Sequence, residues 1–209
     1  MDNQQTSLTD LAWLAGIIDG EGWIGLSLAI DDRSKTRRTV VVKTEIKINN
    51  TDREIIARCQ RIWKQIGVNP YYREYKYKAK AYRKPVYEVA TKHMTGVLKL
   101  IDATLPYLTG NKLERAKLMK EFIKSRQVAG TIKVPDDHYT GQGPKALTAP
   151  YSEREVEIVE KCRALQSNGV STTARRNRDE AVQDFKIRNQ QYKELLGLGK
   201  IQSGSRSKD

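Results

Sequence analysis

The chain has 209 residues, of which 38% are apolar. This length and apolar content are typical of one folded domain with at most a modest appendage, and they exclude disorder throughout the chain. The formal net charge is +13, and it bears on partners rather than on fold. Residues 1–130 carry 24 basic and 14 acidic side chains, a surplus of ten, whereas residues 131–209 carry 14 and 11, a surplus of three. The first part of the chain is therefore expected to bind nucleic acid.

Capping patterns mark most of the predicted helix starts. A residue that favours the N-cap position stands three residues before a glutamate at Thr51, Asn111, Ser152 and Asn177, and Ser7 with Asp10 is a weaker version of this pattern. Together these signals predict helices near residues 8–18, 52–66, 112–126, 153–167 and 178–196. An apolar stretch predicts a further helix over residues 94–105.

Segments of alternating polarity lie between these helices. Residues 23–30 and 40–48 read as strands, and the second of them places Val42, Thr44, Ile46 and Ile48 on one face. Residues 71–91 read as a hairpin that turns near residues 83–85. The order of helix, two strands, helix, two strands and helices predicts an α+β core built on a four-stranded antiparallel sheet.

Composition divides the chain into three predicted parts. Residues 1–130 form the core, and residues 131–150, rich in proline, glycine and threonine, form a linker or surface crossing. Residues 151–209 form a helical C-terminal extension that is expected to pack on the core. The chain has no signal peptide and no apolar run of membrane-spanning length, so we expect a soluble, intracellular protein without a membrane partner. Cys59 and Cys162 fall on apolar helix faces and are expected to be reduced core residues.

The stretch LAGIIDGEG, residues 14–22, ends an apolar helix in two carboxylates. The C-terminal end of a helix carries partial negative charge, so Asp19 and Glu21 are each disfavoured there by roughly 0.3–1 kcal/mol. A divalent cation offsets this penalty, and Mg²⁺ takes one or two carboxylates together with water and phosphate oxygens. The predicted metal site is formed by Asp19, Gly20 and Glu21, with Mn²⁺ or Ca²⁺ able to replace Mg²⁺ for binding. Gly20 and Gly22 are expected to let the backbone turn and a bulky ligand approach. The alternative is that these residues simply end a helix.

A basic, tyrosine-rich segment follows the second predicted helix. Residues 71–84 hold six basic residues, one acid and five tyrosines. Alternation places Arg73, Tyr75 and Tyr77 on one face and Lys76, Lys78 and Lys80 on the other, and the sequence leaves open which face meets DNA. Arg73 is the strongest candidate for a base contact because its planar fork matches guanine O6 and N7.

The first two strands also present polar faces. On the second strand Lys43, Glu45 and Lys47 project together, and on the first strand Gly25, Ser27 and Ala29 do so. The lysines are expected to contribute mainly sequence-independent, salt-sensitive affinity.

The segment LAGIIDGEG, followed by this order of elements, resembles the motif of the LAGLIDADG homing endonucleases over roughly residues 8–128. The resemblance implies a LAGLIDADG core of α-β-β-α-β-β-α order whose sheet forms a saddle on double-stranded DNA. It also implies that the protein is a site-specific endonuclease that acts in intron homing. In such an enzyme Glu21 would bind the metal at a scissile phosphate, and many members of the family have aspartate at this position. Water would then hydrolyse the phosphodiester with the help of the metal.

Only one such motif occurs and the chain shows no internal repeat, so the resemblance implies a homodimer with a pseudo-palindromic target. Small residues on one side of the first helix suit the close packing of two motif helices. The predicted interface comprises Leu11, Ala12, Ala15, Gly16 and Asp19.

The resemblance further implies a polar residue at the end of the second strand and a basic residue after the segment PYL. Asn50 fits the first position, with Asn49 as its rival, although Asn50 could instead cap the next helix. Lys112 fits the second position, and counting from Pro106 instead gives Asn111. Two alternative functions stay open, namely an RNA-binding intron maturase and a DNA-binding regulator without catalysis.

Overall fold

The computed structural model describes residues 6–31, 39–75, 84–133, 146–166 and 172–197. Within these ranges the helices are α1 (Leu8–Glu21), α2 (Arg53–Gln65), α3 (Met94–Thr104), α4 (Gly110–Ala129), α5 (Glu153–Leu165) and α6 (Thr172–Leu195). A 3-10 turn, Leu105–Tyr107, connects α3 to α4. The strands are β1 (Gly22–Asp31), β2 (Thr39–Asn50), β3 (Tyr71–Tyr75), β4 (Val86–Thr91), β5 (Thr131–Lys133) and β6 (Ala146–Thr148).

Four of these strands form one antiparallel sheet in the order β1-β2-β4-β3. β1 pairs with β2 along its whole length, from Gly22 opposite Ile48 to Asp31 opposite Thr39. β4 pairs with the last part of β2, from Ile46 to Asn50, and β3 forms the far edge against β4. The predicted α+β core and its four-stranded antiparallel sheet are therefore confirmed.

The sheet has one buried and one polar face, as the alternation in β2 predicts. Val42, Thr44, Ile46 and Ile48 are buried, and they face a single apolar core that includes residues from all six helices. Cys59 and Cys162 lie in this core as free thiols, as predicted. Burial of apolar side chains against this one face is the dominant stabilising contribution, and it leaves the other face available to solvent.

Two of the predicted helix starts are confirmed and three are displaced. Ser7 caps α1 by accepting a hydrogen bond from the Asp10 N–H, and Ser152 with Glu155 forms a complete capping box at α5. The cap of α2 is Asp52 rather than Thr51, and the cap position of α4 is Thr109 rather than Asn111. Asn177 lies inside α6, which begins at Thr172. Asp52 accepts a hydrogen bond from the Glu54 N–H, so a neighbouring residue supplies the cap predicted for Thr51. Thr109 makes no side-chain capping bond at α4, and its hydroxyl donates to Asp19 instead.

The C-terminal extension is joined to the core by a buried polar network. Arg126 of α4 donates hydrogen bonds to Glu155 (3.2 Å) and to the carbonyl oxygens of residues 149 and 150. The hydroxyl of Tyr151 accepts a hydrogen bond from the N–H of Val42 in β2 (2.9 Å). The backbone N–H and carbonyl of Tyr151 are both bonded to the side chain of Asn189 in α6. These bonds connect the extension directly to the sheet.

The division into residues 1–130, 131–150 and 151–209 stays a prediction. The predicted crossing, residues 131–150, contains the short strand β5 near its beginning and the short strand β6 near its end. These two strands pair with each other in antiparallel register. Residues 134–145 lie outside the described residues. Of the predicted hairpin turn at residues 83–85, the structure describes only residues 84 and 85. Among the helices that the structure describes, none combines the length and apolar character needed to cross a membrane.

Candidate functional site

The predicted metal-binding stretch lies where α1 passes directly into β1. α1 extends three residues beyond the predicted end and includes Asp19, Gly20 and Glu21. Glu21 is its last residue, exposed, and its carboxylate accepts no hydrogen bond from the part of the chain that the structure describes. Gly22 has φ −82° and ψ 161°, an ordinary extended conformation, so the prediction that it permits a turn is wrong. Its role is close approach, since a Cβ there would lie 2.8 Å from the Cα and the carbonyl oxygen of Ile18.

Residues from the beginning of α4 neutralise the end of α1. The Lys112 ammonium donates hydrogen bonds to the carbonyl oxygens of Ile18 (2.5 Å) and Asp19 (2.7 Å). In return, the N–H and the hydroxyl of Thr109 donate to the Asp19 Oδ2 atom (3.0 and 2.8 Å). A cation thus lies at a helix C-terminus and an anion at a helix N-terminus, the favourable sign in both cases. The sequence predicts a metal that offsets the unfavourable negative charge at the end of α1. In the structure the ammonium of Lys112 offsets that charge.

The electrostatic environment of Lys112 is mixed. Burial, followed by the nearby positive charge of Arg115, lowers the pKa of the Lys112 ammonium, and the carboxylates of Asp19 and Glu21 act in the opposite direction. Two of its three N–H donors are occupied by the carbonyl oxygens of α1. One donor therefore remains for a ligand at the end of α1.

The two asparagines at the end of β2 differ in their surroundings. The Asn50 Oδ1 atom accepts a hydrogen bond from the Asp52 N–H (2.8 Å), so this side chain is engaged in the turn before α2. Asn49 lies opposite Glu88 on the polar face of the sheet, next to the residue pair Gly22 and Ile48. Its Oδ1 atom is buried and accepts no hydrogen bond from the described residues. Asn49, the rival in the sequence prediction, thus has the free acceptor.

The polar face of the sheet carries most of the predicted DNA contacts. The register places Ser27 opposite Lys43, Gly25 opposite Glu45 and Trp23 opposite Lys47, all on one face. Through β4, the same face continues to Tyr71, Arg73 and Tyr75 of β3. Arg73 and Tyr75 therefore share the face of Lys47. That this face meets DNA stays a prediction. Lys76, Tyr77, Lys78 and Lys80 lie outside the described residues.

Arg73 is held in an extended position on this face. Its guanidinium lies 5.4 Å from the ring centres of both Tyr71 and Tyr75 and donates to the Tyr75 hydroxyl (3.3 Å). That hydroxyl donates to the carboxylate of Glu88 (3.2 Å), which is nine-tenths buried. The hydrogen bond that Arg73 donates to Tyr75 and the electrostatic effect of the two tyrosines raise the pKa of Arg73. These contacts orient a fully charged, exposed guanidinium.

The outer side of α1 carries small residues that the described part of the chain leaves uncovered. Ala12, Gly16 and Gly20 recur every four residues and are all exposed. A Cβ built on either glycine would meet no atom within 4 Å. Ala15 was expected on this side, but it is fully buried in the core of its own chain. Leu11 is half-buried, and the carboxylate of Asp19 is bonded to Thr109 as described above.

The chemistry of the residues at the end of α1 suits a divalent cation. Glu21 offers an exposed carboxylate, and the Oδ1 atom of Asp19 is buried without a hydrogen-bond donor among the described residues. Those residues contain no cluster of three or more histidine, cysteine or acidic side chains that could hold a metal by themselves. This composition matches Mg²⁺, which takes one or two carboxylates and fills its shell with water and phosphate oxygens.

Sequence reasoning missed two residues of this region. Thr109 connects α4 to Asp19, and the sequence offered no signal for that contact beyond the short interval between Pro106 and Lys112. Arg115 lies on α4 three residues after Lys112, and their charges act on each other. The spacing of three residues, which places both side chains on one side of a helix, could have indicated Arg115.

Comparison with solved structures identifies the fold. The homing endonuclease I-CvuI, in complex with a DNA target in the presence of Mg²⁺ and with the DNA not cleaved, is 19% identical and has a TM-score of 0.54 over 91% of this chain and 98% of that chain. In complex with its own target in the presence of Ca²⁺, I-CvuI gives 20% identity and a TM-score of 0.52 over 86% and 96%. The archaeal intron-encoded homing endonuclease I-Vdi141I complexed with DNA is 12% identical, with a TM-score of 0.53 over 86% and 98%. The chain has the LAGLIDADG homing endonuclease fold.

The sequence itself gives the more particular assignment. Residues 9–102 match the family described as the LAGLIDADG-like domain. The resemblance drawn from residues 14–22 is therefore confirmed for this part of the chain, which is similar to the LAGLIDADG-like domain. No match to a curated protein is found.

Proposed function

We propose that this protein is a site-specific endonuclease that cuts both strands of a pseudo-palindromic DNA target with a divalent metal. The observation that carries the proposal is the arrangement at the end of α1, where an exposed Glu21 carboxylate lies close to Lys112. This arrangement adjoins the first residue of β1 and hence the polar face of the sheet. A hydrolytic centre beside a nucleic-acid surface is what phosphodiester cleavage requires.

The polar face supplies the DNA-binding surface of the proposed enzyme. Lys43 and Lys47 of β2 bind phosphates and give affinity without reading sequence. Arg73, held by two tyrosines, reads a base edge, since its planar fork can bridge guanine O6 and N7. Glu45 lies within salt-bridge distance of Lys47 (4.0 Å) and Lys92 (3.1 Å), so it orients cations on the same face.

The residues at the end of α1 and β2 perform the chemistry. Glu21 would hold the divalent cation, and Asp19 would support the site through its bond to Thr109. When bound, the cation supplies charge stabilisation for the phosphate as it is attacked. Asn49 accepts a hydrogen bond from the attacking water through its free Oδ1 atom. The oxygen of the water forms a bond to phosphorus as the bond to the 3′ oxygen breaks; the water releases its proton to solvent, and the 3′ oxygen takes up a proton from solvent. The remaining N–H of Lys112 donates to the charged phosphate.

A homodimer completes the proposed enzyme, because one Glu21 serves one strand. The exposed stripe of Ala12, Gly16 and Gly20 lets a second α1 approach closely around a twofold axis. Close approach of the two helices places the two Glu21 side chains near each other, one for each strand. A twofold-symmetric protein recognises a target whose half-sites are related by the same symmetry.

The first test is cleavage of a large random duplex library in Mg²⁺, with the cut ends sequenced. The wild-type chain is expected to make staggered cuts at one pseudo-palindromic site. Glu21→Gln keeps the size of the side chain but removes the charge, so it is expected to bind and not to cut. Glu114→Gln is the matched control, because Glu114 is exposed on α4 and pairs only with Lys117 among the described residues. This variant is expected to cut normally.

Two results would contradict the proposal. Folded protein that binds nucleic acid without cutting any duplex in Mg²⁺ would favour the regulator, or the maturase if RNA is bound more tightly than DNA. Equal loss of cleavage in Glu21→Gln and Glu114→Gln would show that the effect is not specific to the end of α1. Ca²⁺ in place of Mg²⁺ tests whether binding and cleavage can be separated by the choice of cation.

A further inference from the structure

Arg115 is a buried arginine whose hydrogen-bonding groups are not satisfied within the described chain. It is 7% exposed, and its Nε atom is buried without an acceptor. No described residue forms an ion pair or a hydrogen bond with it. Arg126, eleven residues further along the same helix, is also 7% exposed but donates to Glu155 and to two backbone carbonyl oxygens. The two arginines are equally buried, but only Arg126 has hydrogen-bond acceptors among the described residues.

An unpaired buried guanidinium is unfavourable in the free protein. Arginine does not lose its proton in proteins, so it cannot relieve the cost of burial by becoming neutral. Burial lowers the pKa of Arg115 but leaves the group charged. The positive charge of Lys112 nearby adds repulsion. An anion bound from outside the chain would offset both the cost of burying the guanidinium and its repulsion with Lys112.

The surroundings of Arg115 place that anion beside the DNA-binding face. Lys112, whose ammonium caps the helix that ends in Glu21, is near enough for the two positive charges to act on each other. Cys162 of α5 is also close enough for an electrostatic effect on the guanidinium. One turn after Cys162, the Gln166 amide fills the space that a Cβ on residue 25 of β1 would take. Arg115 is therefore near Lys112, which contacts the end of α1, and near Cys162, which lies one turn before the residue that covers Gly25 of β1.

We propose that Arg115 binds a phosphate of the DNA backbone and positions the bound strand beside Glu21. The inference rests on the proposed nuclease function and adds a residue to it. A phosphate accepts two parallel hydrogen bonds from the guanidinium fork and supplies the acceptor that the described residues lack. Its negative charge also offsets the repulsion between Arg115 and Lys112. The free protein carries the cost of burying Arg115, and the complex relieves it.

The test compares Arg115→Met with Arg154→Met, each of which removes one guanidinium. Arg154 is a matched control because it is exposed on α5 and paired with Glu121 and Glu157. A mixed-sequence duplex in Ca²⁺ is the probe, since phosphate contacts do not depend on sequence. In Arg115→Met the slope of log K against log salt is expected to become shallower by about 0.9 for each protomer bound. In Arg154→Met the slope is expected to stay unchanged.

A second measurement separates this role from a structural one. The thermal unfolding midpoint of the free Arg115→Met protein is expected to equal or exceed that of the wild type, because an unpaired charge has been removed. Arg115→Lys is expected to restore the salt slope and to cleave more slowly, since it keeps the charge without the fork.

Three outcomes would overturn the inference. An unchanged salt slope in Arg115→Met, with wild-type binding intact, would remove Arg115 from the DNA contact and leave the proposed function standing. A lower unfolding midpoint together with loss of the dimer would indicate a carboxylate of a second copy as the partner. Absence of duplex binding by the wild type would overturn the inference and the proposed function together.

Discussion

The hydroxyl of Tyr151 is expected to contribute measurably to the stability of the whole fold. It accepts a hydrogen bond from the N–H of Val42 in β2, and both residues are buried. β4 pairs with Ile46–Asn50 of β2 and stops short of Val42, so the tyrosine takes the place of a neighbouring strand. Tyr151→Phe removes only the oxygen. The ring keeps its contacts with Phe122 (centroids 6.1 Å apart) and Phe185 (5.2 Å).

The expected loss follows from the group that is left behind. A buried N–H without an acceptor costs about 1–3 kcal/mol, which is more than the net value of an ordinary hydrogen bond. Urea unfolding of Tyr151→Phe should therefore show a lower midpoint with an unchanged slope. The amide of Val42 should also exchange its hydrogen faster than in the wild type.

Tyr72→Phe provides the control, because Tyr72 is exposed on β3 and its hydroxyl has no partner among the described residues. This variant is expected to stay within about 0.5 kcal/mol of the wild type. The reasoning would be refuted by a loss in Tyr151→Phe no larger than in Tyr72→Phe, together with unchanged exchange at Val42.

Three further changes test other contacts. Gly22→Ala should lower the free energy of unfolding by about 1–3 kcal/mol, because its Cβ would lie 2.8 Å from the backbone of Ile18. Thermal melting checks this against Gly20→Ala, whose Cβ would meet no atom of the described residues within 4 Å. Lys112→Met should cost about 1–3 kcal/mol by leaving two carbonyl oxygens of α1 without their charged donor; urea unfolding with no measurable loss would contradict that role. Burial raises the pKa of the Cys59 thiol from 9.0 to about 12, so the stability that its bound proton contributes is complete below pH 9 and is lost as the pH rises toward 12. Unfolding measured on both sides of pH 9 should show this loss in the wild type and a smaller one in Cys59→Ala.

Alternation and capping predicted the fold well because both are local. The burial of Val42, Thr44, Ile46 and Ile48 follows from a period of two, which needs no knowledge of distant residues. The exact caps were less predictable where two suitable residues stand side by side. Asp52 takes the position predicted for Thr51, because either side chain can accept from the start of α2.

The candidate site was predictable in position but not in its internal bonding. The motif in residues 14–22 indicated Glu21, and the segment after PYL indicated Lys112, yet neither pattern reveals that Lys112 caps the helix ending in Glu21. That contact joins residues more than ninety positions apart. The same limit explains why Ala15 was expected at the interface, since a small residue on an apolar helix suits the core equally well.

The direct passage from α1 into β1 has a consequence for how the spacing of two cuts would be set. Glu21 ends the helix and Gly22 begins the strand, so no hinge separates the outer stripe of α1 from the proposed hydrolytic centre. In a dimer, the distance between the two centres would follow from how closely the two helices approach. A methyl group at Gly16 meets no atom of the described residues within 4 Å, so Gly16→Ala would change the contacts of α1 with a second protomer. The stagger of the cut ends would then depend on the packing between protomers as well as on the contacts with DNA.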